Sequence, residues 1–361
     1  MRTMNDNRHY PYAVLTIAIV AIAQGNLTGD EPPWNATQPT AEIRVDTFER
    51  FAGEWTGPEL INGVPQDGTI LHGDILISPA AMARGATPTL WPEGNVYFQF
   101  DVNMTSSMRN NILSAMDRWN HGADANVRFL PRYGQPNYVH IRNSGNDADP
   151  RNNSFVGMVG GEQILNIFSH NSVYTAAHEL AHAVGFWHEQ SRPDRDDFVL
   201  IQEANIQDGS EHNFNIQCCW PDNSWDTPYD FLSIMHYGQC FFSISSNCPA
   251  GNTETIIVLP PHQPFQDDIG NNSSFGTHDA EDMRNVYGFG RSYYIFTSGL
   301  PILGNGTLRS PWGRVFPEAN FIPASGRNLW IEGGIYENSV GLYGAPVTWA
   351  PIPGSGDVIL R

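Results

Sequence analysis

Short apolar runs in the middle of the chain predict β-strands. Residues 96–100, 127–130 and 138–141 are rich in β-branched and aromatic side chains, which favour a pleated, half-buried surface. A longer apolar run over 154–168 predicts one further strand, which Gly160 and Gly161 would bend. The pattern therefore predicts a sheet in the part of the chain that begins near Leu90.

Apolar residues spaced three and four apart predict helices in the same region. The first covers 106–120, begins at Ser106 and carries an apolar stripe from Met108 to Trp119. A second helix is predicted over about 172–184 and a short one over 279–287. Strands and helices thus mix along this part of the chain.

Both flanks differ from this middle region. Residues 24–84 are rich in Pro, Gly, Asn and Asp with little periodicity, which fits a pro-segment or linker better than an independent domain. Residues 291–361 turn to Gly, Pro and short β-like runs, and 304–360 resemble the opening rung of a right-handed parallel β-helix. Only one or two coils fit in that length, too few to bury both faces of each coil.

The first 23 residues have the pattern of an export signal. Arg2 and Arg8 precede the apolar run Ala13–Ala23, which ends with small residues at 21 and 23. The run is too short to cross a bilayer. We therefore expect cleavage after Ala23, secretion to the extracellular space, and no membrane insertion of the mature protein.

Composition excludes one class of partner. The 361 residues carry a net charge of −19, whereas binding to nucleic acid needs clustered cations that neutralise phosphates. The length allows one large domain or two modest ones.

The cysteines form one group, Cys218, Cys219, Cys240 and Cys248. In an exported protein such a group predicts two local disulfides rather than a metal cluster. Neighbouring cysteines rarely pair with each other, so Cys218 and Cys219 are each expected to pair with Cys240 or Cys248.

The stretch HELAHAVGFWHEQSR, from His178 to Arg192, concentrates metal-binding residues. On a helix, each residue turns by about 100° and rises about 1.5 Å, so His178 and His182 share a face with Glu179 beside them. A continued helix would carry His188 about 15 Å along the axis. The helix must therefore stop, and Gly185 is the residue that can reverse the chain.

Three neutral imidazoles are a typical catalytic zinc set that leaves one coordination position open for water. The spacing HExxHxxGxxH is far more specific than HExxH alone. A solvated amphipathic helix is the simpler alternative. A purely structural zinc site is disfavoured, because three histidines and a free carboxylate leave coordination incomplete.

The sequence resembles the metzincin metallopeptidases, and among them the astacin family, over about residues 70–290. The zinc motif continues into Glu189, the residue that separates astacins from other metzincins. Further similar segments are Leu90–Gly94, Val156–Gly157, Gly160–Gln163, Arg192–Val199, Asn205–Ile206, Asn213–Phe214 and the Met-turn block Tyr229–Tyr237.

The resemblance implies an α+β fold of metzincin type. The expected catalytic domain, 85–290, has two subdomains, a twisted mixed sheet, a zinc helix and a Met-turn. A signal peptide (1–23) and a pro-segment (24–84) would precede it, and a small β-rich extension (291–361) would follow.

The resemblance also implies roles for the residues of the motif. His178, His182 and His188 would hold one Zn²⁺, with Glu179 as general base and acid. Met235 would form an apolar floor below the metal. Tyr237 would bind zinc in the resting enzyme and move to support the oxyanion when substrate binds.

Two further implied features concern activation. Leu71-His-Gly-Asp74-Ile75 resembles the pro-segment motif FxGDI, in which the aspartate occupies the open position on zinc. An activating protease would cut within about 78–89, where Arg84 is the one trypsin-like site. Glu189 would then approach the new N-terminus.

The resemblance places substrate along a strand that includes Val156, Gly157, Gly160, Gly161 and Gln163. The sequence also departs from the family. No cysteine precedes Cys218, so a disulfide that many astacins share is absent, and Ile269-Gly270 is only part of the segment IGQR.

Together these features predict a secreted, zymogen-type zinc endopeptidase acting on peptide bonds in proteins. The alternative is a catalytically silent secreted binding or adhesion protein that uses the C-terminal tail.

Overall fold

The computed structural model of the chain describes residues 49–57, 59–61, 64–65, 68–71, 73–79, 88–145, 147, 151–168, 172–217, 227–270, 273–300, 308–309, 311, 328–336 and 348–360. The predicted signal peptide lies outside these residues, as do Arg84, Cys218 and Cys219. No helix within the described ranges is long and apolar enough to cross a bilayer. The chain divides into one compact unit over 42–289 and another that includes 290–361.

A mixed sheet dominates the larger unit. Its described strands are β1 (Ala52–Gly53), β4 (Thr69–Leu71), β5 (Ile75–Ile77), β6 (Asn95–Asp101), β7 (Arg128–Pro131), β8 (Tyr138–Asn143), β9 (Asn153–Phe155) and β10 (Glu162–Ile167). Their order is β1-β6-β8-β10-β9-β5-β4, and β7 also pairs with β6. A separate hairpin joins β2 (Leu60–Ile61) to β3 (Val64–Pro65).

Two helices pack together beside the strands that follow residue 90. Helix α1 (Ser106–Asp117) begins at the N-cap Thr105, whose side chain accepts a hydrogen bond from the backbone of Met108. Helix α2 (Val173–Ala183) holds the zinc motif and contacts α1. Trp119, in the helical turn Arg118–Gly122 that follows α1, donates its ring N–H to the Ala177 carbonyl of α2 at 2.8 Å and so links the end of α1 to α2 next to His178.

The expectation of a single bent strand over 154–168 is wrong. The chain instead forms β9 and β10, which pair antiparallel with Leu165 opposite Ser154. Gly157, Gly160 and Gly161 all have positive φ, a conformation that glycine adopts more readily than other residues. These three glycines reverse the chain between the two strands. As a result β10 lies between β8 and β9, and β9 is the strand that meets the pro-segment.

Strands from the predicted pro-segment flank this sheet. Strand β5 pairs parallel with β9, Ile75 opposite Ser154, and β4 pairs with β5. At the other side, β1 pairs parallel with the end of β6, Ala52 opposite Phe100. The region predicted as a pro-segment or linker therefore contributes β-structure on both sides.

The chain after α2 has few regular elements and its own core. Strand β11 (Val199–Ile201) pairs antiparallel with β12 (Ile256–Val258), and α3 spans Asp279–Tyr287 as predicted. Its buried core consists of Val199, Ile206, Phe214, Tyr229, Phe231, Tyr237, Ile256, Val258 and Ile269. The other short helical turns are Glu49–Phe51, Pro92–Gly94, Arg118–Gly122, Glu189–Ser191, Arg195–Asp197, Glu203–Asn205, Glu211–Phe214 and Gln263–Phe265.

A disulfide closes a loop in this second half. Cys240 is bonded to Cys248, which contradicts the expectation that each of them pairs with Cys218 or Cys219. The two cysteines lie only eight positions apart, so the link staples a single surface loop that follows Tyr237.

The C-terminal unit consists of parallel strands. Strands β13 (Ser292–Leu300), β14 (Asn328–Ile331) and β16 (Thr348–Pro351) form one sheet, and β15 (Gly334–Tyr336) pairs with β17 (Val358–Leu360). Both ladders are parallel, with Ser292 beside Asn328 and Asn328 beside Thr348. A parallel β-helix also pairs its strands in parallel, and the resemblance of residues 304–360 to such a fold stays a prediction.

Candidate metal centre

Helix α2 carries the first two histidines and ends where the motif predicts. Ser172 caps its start by accepting a hydrogen bond from the Thr175 backbone, at 3.1 Å. The helix stops at Ala183, and Gly185 has φ 114°, a conformation that side chains other than glycine rarely adopt. The reversal at Gly185 returns the chain so that His188 faces His178.

The three histidines converge through their Nε2 atoms. Nε2 of His178 lies 3.1 Å from that of His182 and 3.3 Å from that of His188. Backbone carbonyls orient two of the rings, because Nδ1 of His178 is 2.7 Å from the Ile234 oxygen and Nδ1 of His182 is 2.7 Å from the Phe186 oxygen. Each carbonyl accepts the Nδ1 proton in a hydrogen bond, so the lone pair of Nε2 is available to a metal ion.

This donor set fits zinc. Tetrahedral Zn–N bonds of about 2.0–2.1 Å imply nitrogens roughly 3.3 Å apart, close to the separations seen here. Burial lowers the pKa of His182 well below its ordinary value, and the neighbouring His178 lowers it further. A neutral imidazole, the form that binds metal, is therefore favoured.

Asp74, from the predicted pro-segment, closes the cluster. Its carboxylate oxygens lie 3.3 Å from Nε2 of His178 and 3.3 Å from Nε2 of His188. One donor atom from each of the four residues lies within 4.8 Å of all the others. Burial acts to raise the pKa of Asp74, but His188 and the hydrogen bond to His178 hold it well below the ordinary value.

Glu179 is buried beside the histidines, with 2% of its surface exposed. Its Oε2 makes no hydrogen bond within the described part of the chain. Burial raises its pKa well above the ordinary value, and the negative charge of Asp74 adds to the increase. A carboxyl group with a raised pKa and an open oxygen can take up and release a proton.

Tyr237 lies against the same cluster, and Met235 lies against the motif residue Glu189. Met235 is 4% exposed, and its carbonyl accepts a hydrogen bond from the Glu189 backbone at 2.9 Å. The Tyr237 ring centre is 4.4 Å from that of His188. Burial raises the pKa of the Tyr237 hydroxyl, and the charges of Asp74 and Glu179 raise it further, so the group is protonated and can donate.

Comparison with known proteins agrees with this geometry. The family model described as Astacin, a peptidase family, matches residues 84–288. The chain belongs to the astacin family. Its mixed sheet, zinc helix and Met-turn are the α+β metzincin fold, and zinc is the cofactor of the family.

Individual astacin relatives match the same region. Meprin A subunit beta of Mus musculus is 34% identical over 199 residues, which are 55% of this chain and 26% of that protein. Zinc metalloproteinase nas-14 of Caenorhabditis elegans is 33% identical over 205 residues, 55% of this chain and 37% of that protein. The chain therefore spans about a quarter to a third of these relatives.

A solved astacin structure is also similar. High choriolytic enzyme 1, a hatching enzyme zinc-protease from Oryzias latipes, is 27% identical and gives a TM-score of 0.47. The match covers 56% of this chain and 94% of that one.

A small acidic cavity lies behind the metal cluster. It measures about 10 Å³, close to the space that one water molecule needs, and its lining includes Glu189, Asp279 and Asp282. Glu189 accepts hydrogen bonds from Arg192 at 3.0 Å and from the Asp230 backbone at 2.8 Å. Burial raises its pKa to about 8, against the lowering effect of Arg192.

The motif reasoning missed the residues that brace this region. Asp279 accepts hydrogen bonds from the Ser233 hydroxyl at 2.5 Å and the Ile234 backbone at 2.9 Å, and so supports the Met-turn. Asp282 accepts from the Thr227 hydroxyl at 2.5 Å. Their one sequence signal is the acidic first turn of α3, which is common in helices without any such role.

The residues predicted for the substrate strand have different placements. The Gly157 backbone donates to the His182 carbonyl at 2.8 Å, so this residue touches the zinc helix. Val156 packs with Ile75, Ile77 and Trp187. Gln163 is fully buried and bonds the Gly157 carbonyl, whereas Gly160 and Gly161 lie in the turn before β10.

Proposed function

We propose that this chain is a secreted zinc endopeptidase made as a latent precursor, with peptide bonds in proteins as its substrate. The observation that carries the proposal is the meeting of His178, His182, His188 and Asp74 at one point, three imidazoles and one carboxylate from the predicted pro-segment. The matched peptidase family supports the reaction class.

When bound, zinc supplies a Lewis acid that polarises a carbonyl and lowers the pKa of water. Glu179, buried with an open oxygen, takes the proton from the attacking water and later gives it to the leaving amine. Tyr237, protonated and next to His188, donates to the oxyanion that forms on the substrate.

We infer that substrate lies along β9. In the precursor this edge is paired with β5, and the Ser154 backbone donates to the Asp74 carbonyl at 2.9 Å. A peptide that replaces β5 would add to the sheet through the same backbone groups. Gly157, bonded to the His182 carbonyl, connects this edge to the zinc helix.

Latency and activation follow from the same contacts. Asp74, 3.3 Å from Nε2 of His178 and of His188, would take the place of water on a bound zinc ion, so the precursor would be inactive until residues before about 89 leave. The new N-terminal ammonium would enter the cavity formed by Glu189, Asp279 and Asp282. A buried group of carboxyls with raised pKa values is stabilised by one positive charge.

The test compares wild type with Glu179→Gln after activation, using a quenched peptide and measuring bound zinc. We expect equal zinc and at least about a thousandfold lower turnover for the variant, since proton transfer is lost. A chelator should silence the wild type and zinc should restore it. Turnover by Glu179→Gln at the wild-type rate would contradict the mechanism, and wild-type inactivity with zinc bound would favour the silent binding protein.

A further inference from the structure

Residues 51–56 of the predicted pro-segment bind a part of the sheet that takes no part in the metal centre. Strand β1 pairs parallel with β6, so that Gly53 lies opposite Asp101. The Val102 backbone extends this pairing by donating to the Gly53 carbonyl at 3.1 Å. The segment is thus held as an added strand, the geometry in which sheets recognise extended peptides.

Side chains add three specific contacts to this pairing. The Phe51 ring meets the Tyr133 ring edge to face, with centres 5.1 Å apart. The Trp55 ring packs edge to face on His140, with centres 5.6 Å apart. The hydroxyl of the next residue, Thr56, donates to the Glu162 carboxylate.

An apolar cluster lies next to these contacts. Leu76, Phe155 and Ile164 form its buried part, and Trp55, Ile70 and Val159 pack against it. Trp55 therefore covers residues of β9 and β10 on the peptidase side. Removal of the pro-segment would expose Phe155 and Ile164, which are 5% and 0% exposed in the precursor.

The polar part of this surface is assembled by the peptidase itself. His140 is fully buried, and its Nδ1 lies 2.5 Å from the Glu162 carboxylate. The Tyr138 hydroxyl also hydrogen-bonds Glu162. Burial acts to raise the pKa of Glu162, but hydrogen bonds from His140, Thr56 and Tyr138 lower it below the ordinary value. Glu162 is therefore a charged, oriented acceptor at the place where the segment's hydroxyl arrives.

We propose that this face of the sheet, formed by Tyr133, Tyr138, His140, Phe155, Glu162 and Ile164 with the edge of β6, is a second peptide-binding site. It recognises an extended segment in which an aromatic residue precedes a hydroxyl residue, and residues 51–56 occupy it in the precursor.

The second site rests on the proposed function only in that residues 24–84 act as a removable pro-segment. This segment has two separate attachments, one at Asp74 and one at Trp55–Thr56. Loss of one attachment should leave the other in place.

Hydrogen–deuterium exchange of the full-length chain tests this without any need for catalysis. Trp55→Ala should raise exchange at 51–56 and 100–102 about tenfold, because the contact of a large, partly buried aromatic ring is lost, while 74–77 keeps its protection. Thr56→Val should have a smaller effect in the same segments, because it removes one exposed hydrogen bond. Thr56→Ser should behave as wild type, and so should Glu54→Gln, which alters the exposed neighbour of Trp55.

Activity gives the second readout. In the Asp74→Ala chain the pro-segment is still held at Trp55–Thr56. Adding Trp55→Ala removes this second attachment, so the segment should leave β9 more often and peptide turnover should rise about fivefold or more. Trp55→Ala alone should remain latent. Equal exchange in all variants, or equal loss of protection at 51–56 and 74–77, would overturn the second site, whereas protected segments with no turnover in any variant would overturn only the proposed peptidase.

Discussion

At the scale of single residues, Gly73 determines how closely the predicted pro-segment can approach the metal centre. It has φ 77°, and a β-carbon built there would lie 2.7 Å from the Phe242 ring and 3.6 Å from the Tyr237 hydroxyl. Phe242 is partly buried and packs against the core that contains Tyr237, so moving its ring away would disturb this packing. A side chain at position 73 would push Asp74 away from the histidines.

We therefore predict that Gly73→Ala weakens latency. The uncut precursor should cleave a quenched peptide about tenfold faster than wild type, since strained φ and overpacking each cost of order 1–3 kcal/mol. Gly134→Ala is the matched control, because it also has positive φ but no atom within 4 Å of the added carbon. A precursor with Gly73→Ala that is as silent as wild type would contradict this account.

The sequence predicts the histidines and Glu179 because they belong to one short segment whose helical geometry can be calculated. Asp74 could be predicted only through the resemblance to the astacin pro-segment motif, since a single Gly-Asp-Ile triplet does not by itself indicate a metal ligand. Asp279 and Asp282 could not be predicted, because their partners Ser233 and Thr227 lie 46 and 55 positions away.

At the scale of elements, the zinc helix is fixed at its start by one side chain. The Ser172 hydroxyl accepts a hydrogen bond from the Thr175 backbone N–H at the first turn of α2. The Thr105 hydroxyl accepts one from the Met108 backbone N–H at the first turn of α1. The two caps are chemically alike, but only α2 carries metal ligands.

Ser172→Ala and Thr105→Ala should each lower the free energy of unfolding by about 1 kcal/mol. Only Ser172→Ala should also weaken zinc retention, because fraying of α2 disturbs His178. Urea denaturation with competition for zinc by a chelator measures both effects. Equal zinc affinity in the two variants would show that the first turn of α2 does not influence the site.

The hairpin of β9 and β10 shows where pattern reasoning fails. Apolar residues continue through Val156 and Met158, so the run reads as one strand, while the reversal depends on the positive φ of three glycines. Glycine permits such angles without requiring them. The choice between a bend and a hairpin is made by tertiary pairing with β5 and β8.

At the scale of the whole molecule, burial of acids behind the metal centre couples stability to pH. Burial raises the pKa of Asp282 to about 7, from an ordinary value of 3.8. The folded chain then holds this proton more tightly than the unfolded chain does. The stability that this protonation contributes is complete below about pH 4 and is lost as pH rises through about 7.

Asp282→Asn should remove this part of the pH dependence. Between pH 4 and 7, the unfolding free energy of the precursor should fall less in the variant than in wild type, by at most about 4 kcal/mol. Asn retains an oxygen that can accept from Thr227, so the packing is preserved. Asp208→Asn, at an exposed position, controls for the loss of a formal charge, and parallel pH curves for Asp282→Asn and wild type would contradict the prediction.

Sequence patterns predict the pairing of strands that are distant in the chain less well than they predict local structure. The signals in 49–77 are weak because its strands are two or three residues long, and their stability comes from pairing with β6 and β9. The C-terminal unit pairs its described strands in parallel, and its resemblance to a β-helix stays a prediction.

The pairing of β5 with β9 also bears on how the protein is made. An unpaired strand edge is a template for association with other chains, and β9 has such an edge whenever β5 is absent. Because β5 precedes β9 in the chain, it is already synthesised when β9 emerges, and each new molecule can cover its own edge. A chain that starts at Pro88 should therefore refold from urea into soluble protein in lower yield than the full-length chain, with the remainder in aggregates. If this segment also keeps the enzyme latent, as proposed, one segment would act both as inhibitor and as chaperone, and its early removal would lower the yield of folded protein rather than release activity.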